Sequence, residues 1–158
     1  MLRRFMTLGV LTAVAACSAP PKPPPPTVVE LTLTATPDAN PSPSGQGAPT
    51  QGAPLVVRIY QLGSTSAFTG AEFFPLFNQD QATLGTDLVK RDELTLVPGQ
   101  TRTLTLTPTE QVKSIGVFAA YRDFQHATWR GSADVPPHQT TKVTVQAAGD
   151  GISVKPQQ

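Results

Sequence analysis

Cysteine occurs once in the 158-residue chain, at Cys17, so no internal disulfide can form and packing alone must hold the fold. Charge is sparse and balanced. Charged residues make up 15%, with 12 Lys and Arg against 11 Asp and Glu, and this composition gives no support for nucleic-acid binding. There are two histidines, His126 and His138, and neither has a second His or Cys at a metal-ligand spacing. No glycine pattern of the nucleophile-elbow kind accompanies a serine, so catalysis is not expected and Asp123 with His126 reads as a polar turn. Long apolar runs are lacking too: the N-terminal one, Phe5 to Ala16, falls far short of the ~20 residues a spanning helix needs. What the chain has instead is Thr, Val and 17 prolines, a composition for short strands joined by proline-rich turns.

The N-terminus reads as a removable address. Arg3 and Arg4 precede the apolar run, which ends in Val14-Ala15-Ala16-Cys17. A branched apolar residue, two small ones and a cysteine resemble the lipobox at which lipoprotein signal peptidase cuts before a diacylated Cys. Residues 1–16 are then signal peptide and Cys17 becomes the first residue of the mature chain. Ser18 to Thr27, SAPPKPPPPT, favours polyproline II at about 3.1 Å per residue, a semi-rigid spacer of about 30 Å between anchor and domain. Residues 17–27 are therefore the lipidated cysteine and its linker, and residues 28–158 the folded domain. In lipoproteins of this kind an Asp after the modified Cys signals inner-membrane retention. Ser18 in that place implies the outer membrane, on its periplasmic face.

From Val28 the period becomes two. Val29, Leu31, Leu33 and Ala35 alternate with Glu30, Thr32 and Thr34, a strand with one face on a core. Leu55 to Leu62 has apolar residues on both faces, with Leu55, Val57 and Ile59 opposed by Val56, Arg58, Tyr60 and Leu62, as in a central strand covered on both sides. Between them, Pro37 to Pro54 is too rich in Pro and Gly for strand or helix and is expected to be a long exposed loop. Phe68, Phe73, Phe74, Leu76 and Phe77 follow. Their spacing suits one or two short helical turns, broken near Pro75, lying across a sheet as satellite core; an aromatic ligand pocket is the other reading.

The second half returns to strands. Leu94 and Leu96, the type II turn signal Val97-Pro98-Gly99-Gln100, and Leu104 and Leu106 read as a threonine-faced hairpin. Ile115 to Tyr121, apolar on both faces, is expected to be the most buried strand. Thr128 to Val135 runs back with Trp129, Ala133 and Val135 on one face, while Arg122 and Arg130 at the ends of this hairpin are expected to pair with carboxylates such as Asp123 or Asp134. Val143 and Val145 alternate with polar residues, and Gly149-Asp150-Gly151 signals a tight turn before Ile152 and Val154. Seven or eight short strands at this spacing indicate a mainly β, two-sheet sandwich.

The lipobox, Asn40-Pro41, the block Val56 to Leu62, Phe73-Phe74-Pro75-Leu76, Leu84-Gly85, Leu96 to Gly99, and Ile115 to Asp123 through Ala127 to Arg130 together resemble the TssJ (SciN-like) lipoproteins of type VI secretion systems. The resemblance runs through essentially the whole domain in order. It implies a transthyretin-like β-sandwich with a small helical addition, without cofactor other than the lipid on Cys17. It also implies binding to the periplasmic C-terminal part of the inner-membrane subunit TssM, in a complex of TssJ, TssL and TssM. The family's partner-contacting loop maps onto Pro37 to Pro54, with Asp38, Asn40, Pro41, Ser42, Gly45 and Gln46 as candidate contacts. A lipid-anchored periplasmic sandwich that recognises peptide, glycan or a small ligand is the alternative.

Overall fold

The computed structural model describes residues 22–41 and 52–157. The signal segment, Cys17 and the loop positions Ser42, Gly45 and Gln46 lie outside the described residues. Among those described, eight strands form two four-stranded sheets: β1 (Val28–Ala35), β2 (Leu55–Leu62), β3 (Leu88–Leu96), β4 (Thr101–Leu106), β5 (Ser114–Ala119), β6 (Arg130–Asp134), β7 (Thr140–Ala148) and β8 (Gly151–Gln157). The first sheet has the order β4-β1-β7-β8 and the second β3-β2-β5-β6. All pairs are antiparallel except β1 with β7.

The core between the sheets follows from the period-two patterns. Val29, Leu31 and Leu33 from the first sheet, with Leu55, Val57 and Ile59 from the second, are wholly buried there. The other face of β2 and β5 carries Tyr60, Leu62 and Phe118. These also are fully buried, because a helical insertion lies over them and contributes Phe68, Phe73 and Leu76. Both sides of β5 are thus covered, and all six of its residues are buried. Gly116 in its middle is required by this roof: a Cβ there would stand 2.9 Å from Leu62 Cδ1 and 3.1 Å from the Phe68 ring.

The insertion consists of α1 (Ser66–Gly70) and α2 (Phe73–Leu84), followed by one 3₁₀ turn (Gly85–Asp87). The break expected near Pro75 is elsewhere. Pro75 is the third residue of α2, where a missing N–H costs no helical hydrogen bond. The interruption comes at Gln79, whose backbone leaves the helical region (φ −144°, ψ 44°).

The expected hairpin of Leu94–Leu96 with Leu104–Leu106 is corrected: β3 and β4 belong to different sheets. The turn itself forms, with the Gln100 N–H donating to Val97 O at 2.9 Å and Gly99 at φ 81°. Its backbone, however, bonds to the end of β1, the Gly99 N–H donating to Ala35 O and the Ala35 N–H to Gln100 O, both at 2.9 Å. The chain is thereby handed to the first sheet, where Leu104 and Leu106 lie opposite Leu31 and Val29. On the open edge that β3 leaves, Lys90 and Asp92 share the core-side face with Leu94, and charges so placed resist pairing with a foreign strand.

At the other side the sandwich closes, with Thr128 bridged to Gly151. Gly151 has φ 141°, and a Cβ on it would meet the Thr128 backbone N and O at 2.5 Å, so only glycine serves this corner.

Candidate functional site

Of the segment that joins β1 to β2, the two ends, 36–41 and 52–54, are built into the domain. The Gly52 N–H donates to Pro37 O (3.2 Å) and the Ala53 N–H to Ala39 O (2.9 Å), closing a neck. Ala39 is buried, and Asn40 is only 2% exposed. Asn40 adopts φ 54°, a left-handed conformation Asn tolerates. Its Nδ2 donates to Pro54 O (3.0 Å) and its Oδ1 accepts from the Arg122 N–H (2.9 Å), joining both ends of the loop to the turn after β5. Uniform exposure therefore fails at the base of the loop. Of the candidate contacts, Asp38 is exposed, Pro41 half-buried and Asn40 internal.

Beside the loop lies the 120–128 segment and, next to it, the aromatic cluster. Phe73 is nearly buried, 4.5 Å from Phe124 and 5.9 Å from Phe77 in stacked geometry, 5.2 Å from Phe118, and edge-on to Trp129 at 5.3 Å. Phe68, Phe73 and Leu76 are buried against the sheet, so the satellite-core reading holds for them, while Phe74 and Phe77 stay exposed. Tyr121 is buried as expected, its hydroxyl donating to Ala148 O at 2.9 Å, and burial raises its pKa above the ordinary value. Trp129 is only half-buried, touching the aromatic cluster as well as the core shared with Ala133 and Val135.

Arg130 does not pair with a carboxylate as expected. Its guanidinium stacks on Trp129 (4.6 Å) and donates to Phe68 O at 2.9 Å and to Ala71 O, satisfying carbonyls at the end of α1. Burial lowers its pKa from the usual value. The expected acidic partners are engaged elsewhere: Asp134 accepts from the Ser114 hydroxyl and Asp123 lies 2.7 Å from His126 Nδ1.

A polar hub that the sequence reading missed fixes the roof to the second sheet. Asp80, 6% exposed, accepts from Arg91 Nη1 through both carboxylate oxygens (3.1 and 2.9 Å) and from the Tyr60 hydroxyl (3.0 Å). Arg58, on the same face of β2 as Tyr60, donates to Glu93 (2.7 Å) and to Phe77 O (2.7 Å) and lies over the Phe77 ring. The only signal for this hub was an Arg and a Tyr on the otherwise apolar face of β2. Burial opposes ionisation of Asp80, but the hydrogen bonds from Arg91 and Tyr60 and the charges of Arg91 and Arg58 outweigh it and hold its pKa below the ordinary value. A carboxyl with a depressed folded-state pKa stabilises the fold above the unfolded value, near ~3.9, and that contribution is lost as pH falls through the folded value. Thermal melts across this acid range should show the midpoint dropping. In Asp80→Asn the midpoint should be lower at pH 7 and its fall in acid shallower; an unchanged acid slope would remove Asp80 from this role.

No group of three or more His, Cys, Asp or Glu suited to a metal ion occurs among the described residues, and no helix among them is long and apolar enough to cross a membrane. The class defined by this architecture is a two-sheet β-sandwich, roofed on one outer face by a short helical insertion, with the β1–β2 connection leaving and re-entering at one end beside an aromatic flank. The family model described as "Type VI secretion lipoprotein, VasD, EvfM, TssJ" matches residues 27–150. The chain belongs to this TssJ (SciN) family of type VI secretion lipoproteins.

Solved structures agree. TssJ1 from Pseudomonas aeruginosa, a type VI lipoprotein, is 40% identical, with 85% of this chain and 98% of that chain covered and a TM-score of 0.78. Lip from Serratia marcescens, described as a membrane-bound component of the type VI secretion system, is 28% identical over 84% of this chain and 99% of that one, at a TM-score of 0.72. A chain of the structure described as the T6SS protein TssM C-terminal domain from EAEC shares the fold, with 23% identity, 83% and 99% coverage and a TM-score of 0.65. No match is found among curated protein sequences.

Proposed function

We propose that the protein is the outer-membrane lipoprotein of a type VI secretion membrane complex, anchored through Cys17 on the periplasmic face and holding the periplasmic C-terminal part of TssM, in an assembly with TssL. Residues 1–16 are removed as signal peptide, residues 17–27 form the lipidated cysteine and linker, and residues 28–158 are the docking domain. The observation that carries this reading is the family match through residues 27–150, on a chain that carries the lipobox Val14-Ala15-Ala16-Cys17. The role is mechanical and needs no catalytic group. Each buried methylene of an acyl chain contributes about 0.8 kcal/mol, so several chains on Cys17 give stable membrane residence. Confinement to the bilayer raises the effective concentration of the docking surface, so modest intrinsic affinity suffices. Within that surface the loop positions Asp38, Pro41, Ser42, Gly45 and Gln46 are the contact candidates, with Asn40 holding the loop's base.

Metabolic labelling with palmitate tests the anchor. The native chain should incorporate label and fractionate with the outer membrane, and Cys17→Ser should do neither. Undiminished labelling of Cys17→Ser would end the lipoprotein reading.

A further inference from the structure

We infer that the surface taking TssM extends from the base of the β1–β2 connection, at Asp38 to Pro41, onto a phenylalanine patch of exposed Phe74 and Phe77 with half-buried Phe124, on the helical flank at the same end of the sandwich; this rests on the function proposed above. Phe74 is 53% and Phe77 36% exposed, although a helix lying on a sheet ordinarily turns polar residues outward. Single exposed apolar side chains are commonplace, whereas contiguous ones mark interaction sites. These are contiguous: Phe74 meets Phe124 edge-on at 4.9 Å, and Phe124 and Phe77 both stack on the nearly buried Phe73. Rings fixed in this way lose little freedom on binding, and aromatic anchors dominate the energetics of interfaces.

Two observations name the occupant. The first is continuity with the loop. Phe124 stands two residues from Arg122, whose backbone N–H is held by Asn40, so the base of the β1–β2 connection and the patch are joined directly. The second is direction. The linker is docked on the domain where β1 begins: the His138 N–H donates to Thr27 Oγ1 (2.9 Å), the His138 ring nitrogen lies 3.2 Å from Pro25 O, and Pro24 to Pro26 line a hollow with Pro108 to Glu110. From there β1 runs eight residues, about 26 Å, to the end where the loop leaves. Lipid on Cys17 therefore draws the β1-start end toward the bilayer and leaves the end with Asp38 to Pro41 and the patch facing the periplasm, where a subunit reaching up from the inner membrane arrives. The TssM periplasmic domain is the occupant that fits.

The test is a calorimetric titration of the detergent-solubilised mature lipoprotein with the TssM periplasmic C-terminal domain of the same system. Phe74→Ser should weaken binding about tenfold or more, Phe74→Tyr should retain it, and Val89→Ser, at an exposed site on β3, should leave it unchanged. A photo-crosslinking phenylalanine analogue at position 74 should capture TssM, and the same analogue at position 89 should not, a readout independent of any effect on folding. Native binding with Phe74→Ser within about twofold and no capture at 74 would overturn the patch while leaving the proposed function standing. Failure of the native protein to bind would overturn both.

Discussion

Phe118→Ala lowers the unfolding free energy by about 3–5 kcal/mol, read in denaturant melts as a fall in midpoint with little change in slope. Phe118 has no exposed surface and lies on the central strand β5 between β2 and β6. Its ring is where the roof meets the second sheet, 5.2 Å from Phe73, 5.7 Å from Trp129 and 6.2 Å from Phe77. Phe73 and Phe77 are fixed in α2 and Trp129 is held by the Arg130 guanidinium stacked on it, so they cannot collapse into the space left behind. The loss then includes a cavity as well as lost transfer energy. A change below about 1 kcal/mol would show that the roof is not seated on β5 as described.

Asn40→Ala is expected to cost about 2–4 kcal/mol, an unusual penalty for a residue in a Pro- and Gly-rich loop. The substitution leaves the Arg122 N–H and the Pro54 carbonyl without the partners Asn40 supplied, and places alanine at φ 54°. A fully buried group left unsatisfied costs about 1–3 kcal/mol, these two part-buried ones lose about 0.5–1 kcal/mol each, and the left-handed backbone adds about 1–2 kcal/mol. Asn40→Asp keeps the acceptor for Arg122 but loses the donor to Pro54, and should fall between alanine and the native protein in denaturant melts. A stability change under about 0.5 kcal/mol accompanied by lost partner affinity would make Asn40 a contact residue instead.

Asn40 illustrates what the sequence could and could not disclose. Its neighbours Pro37, Pro41 and Pro43 announce a loop, and that reading concerns local backbone preference, which is written in local residues. Its bonds to Arg122 and Pro54 join positions 82 and 14 residues away, and no local pattern encodes them. The same division runs through the fold. Period two told which residues of β1, β2 and β7 face the core, and two-sided apolarity marked β5 as the deepest strand. Alternation reports faces, not partners, so Leu94–Leu96 and Leu104–Leu106 looked like a hairpin when the turn between them in fact steps from one sheet to the other. Carboxylates near in sequence suggest an ion pair for Arg130, yet carbonyls at the end of α1 take its guanidinium. The Asp80 hub gathers Tyr60 and Arg91 from two strands onto a helical carboxylate, and only the finished topology brings them together. The identity of the family was legible because its blocks recur in order along the chain, and such recurrence requires no knowledge of pairing.

The central claim is that one molecule is gripped by the membrane at Cys17 and grips TssM at the other end. Flotation of phospholipid vesicles carrying the mature lipoprotein, mixed with the soluble TssM periplasmic C-terminal domain, tests both grips at once. The account predicts that TssM rises with the vesicles when the lipoprotein is native and stays at the bottom of the gradient with Cys17→Ser. TssM remaining at the bottom while the native lipoprotein floats would contradict it.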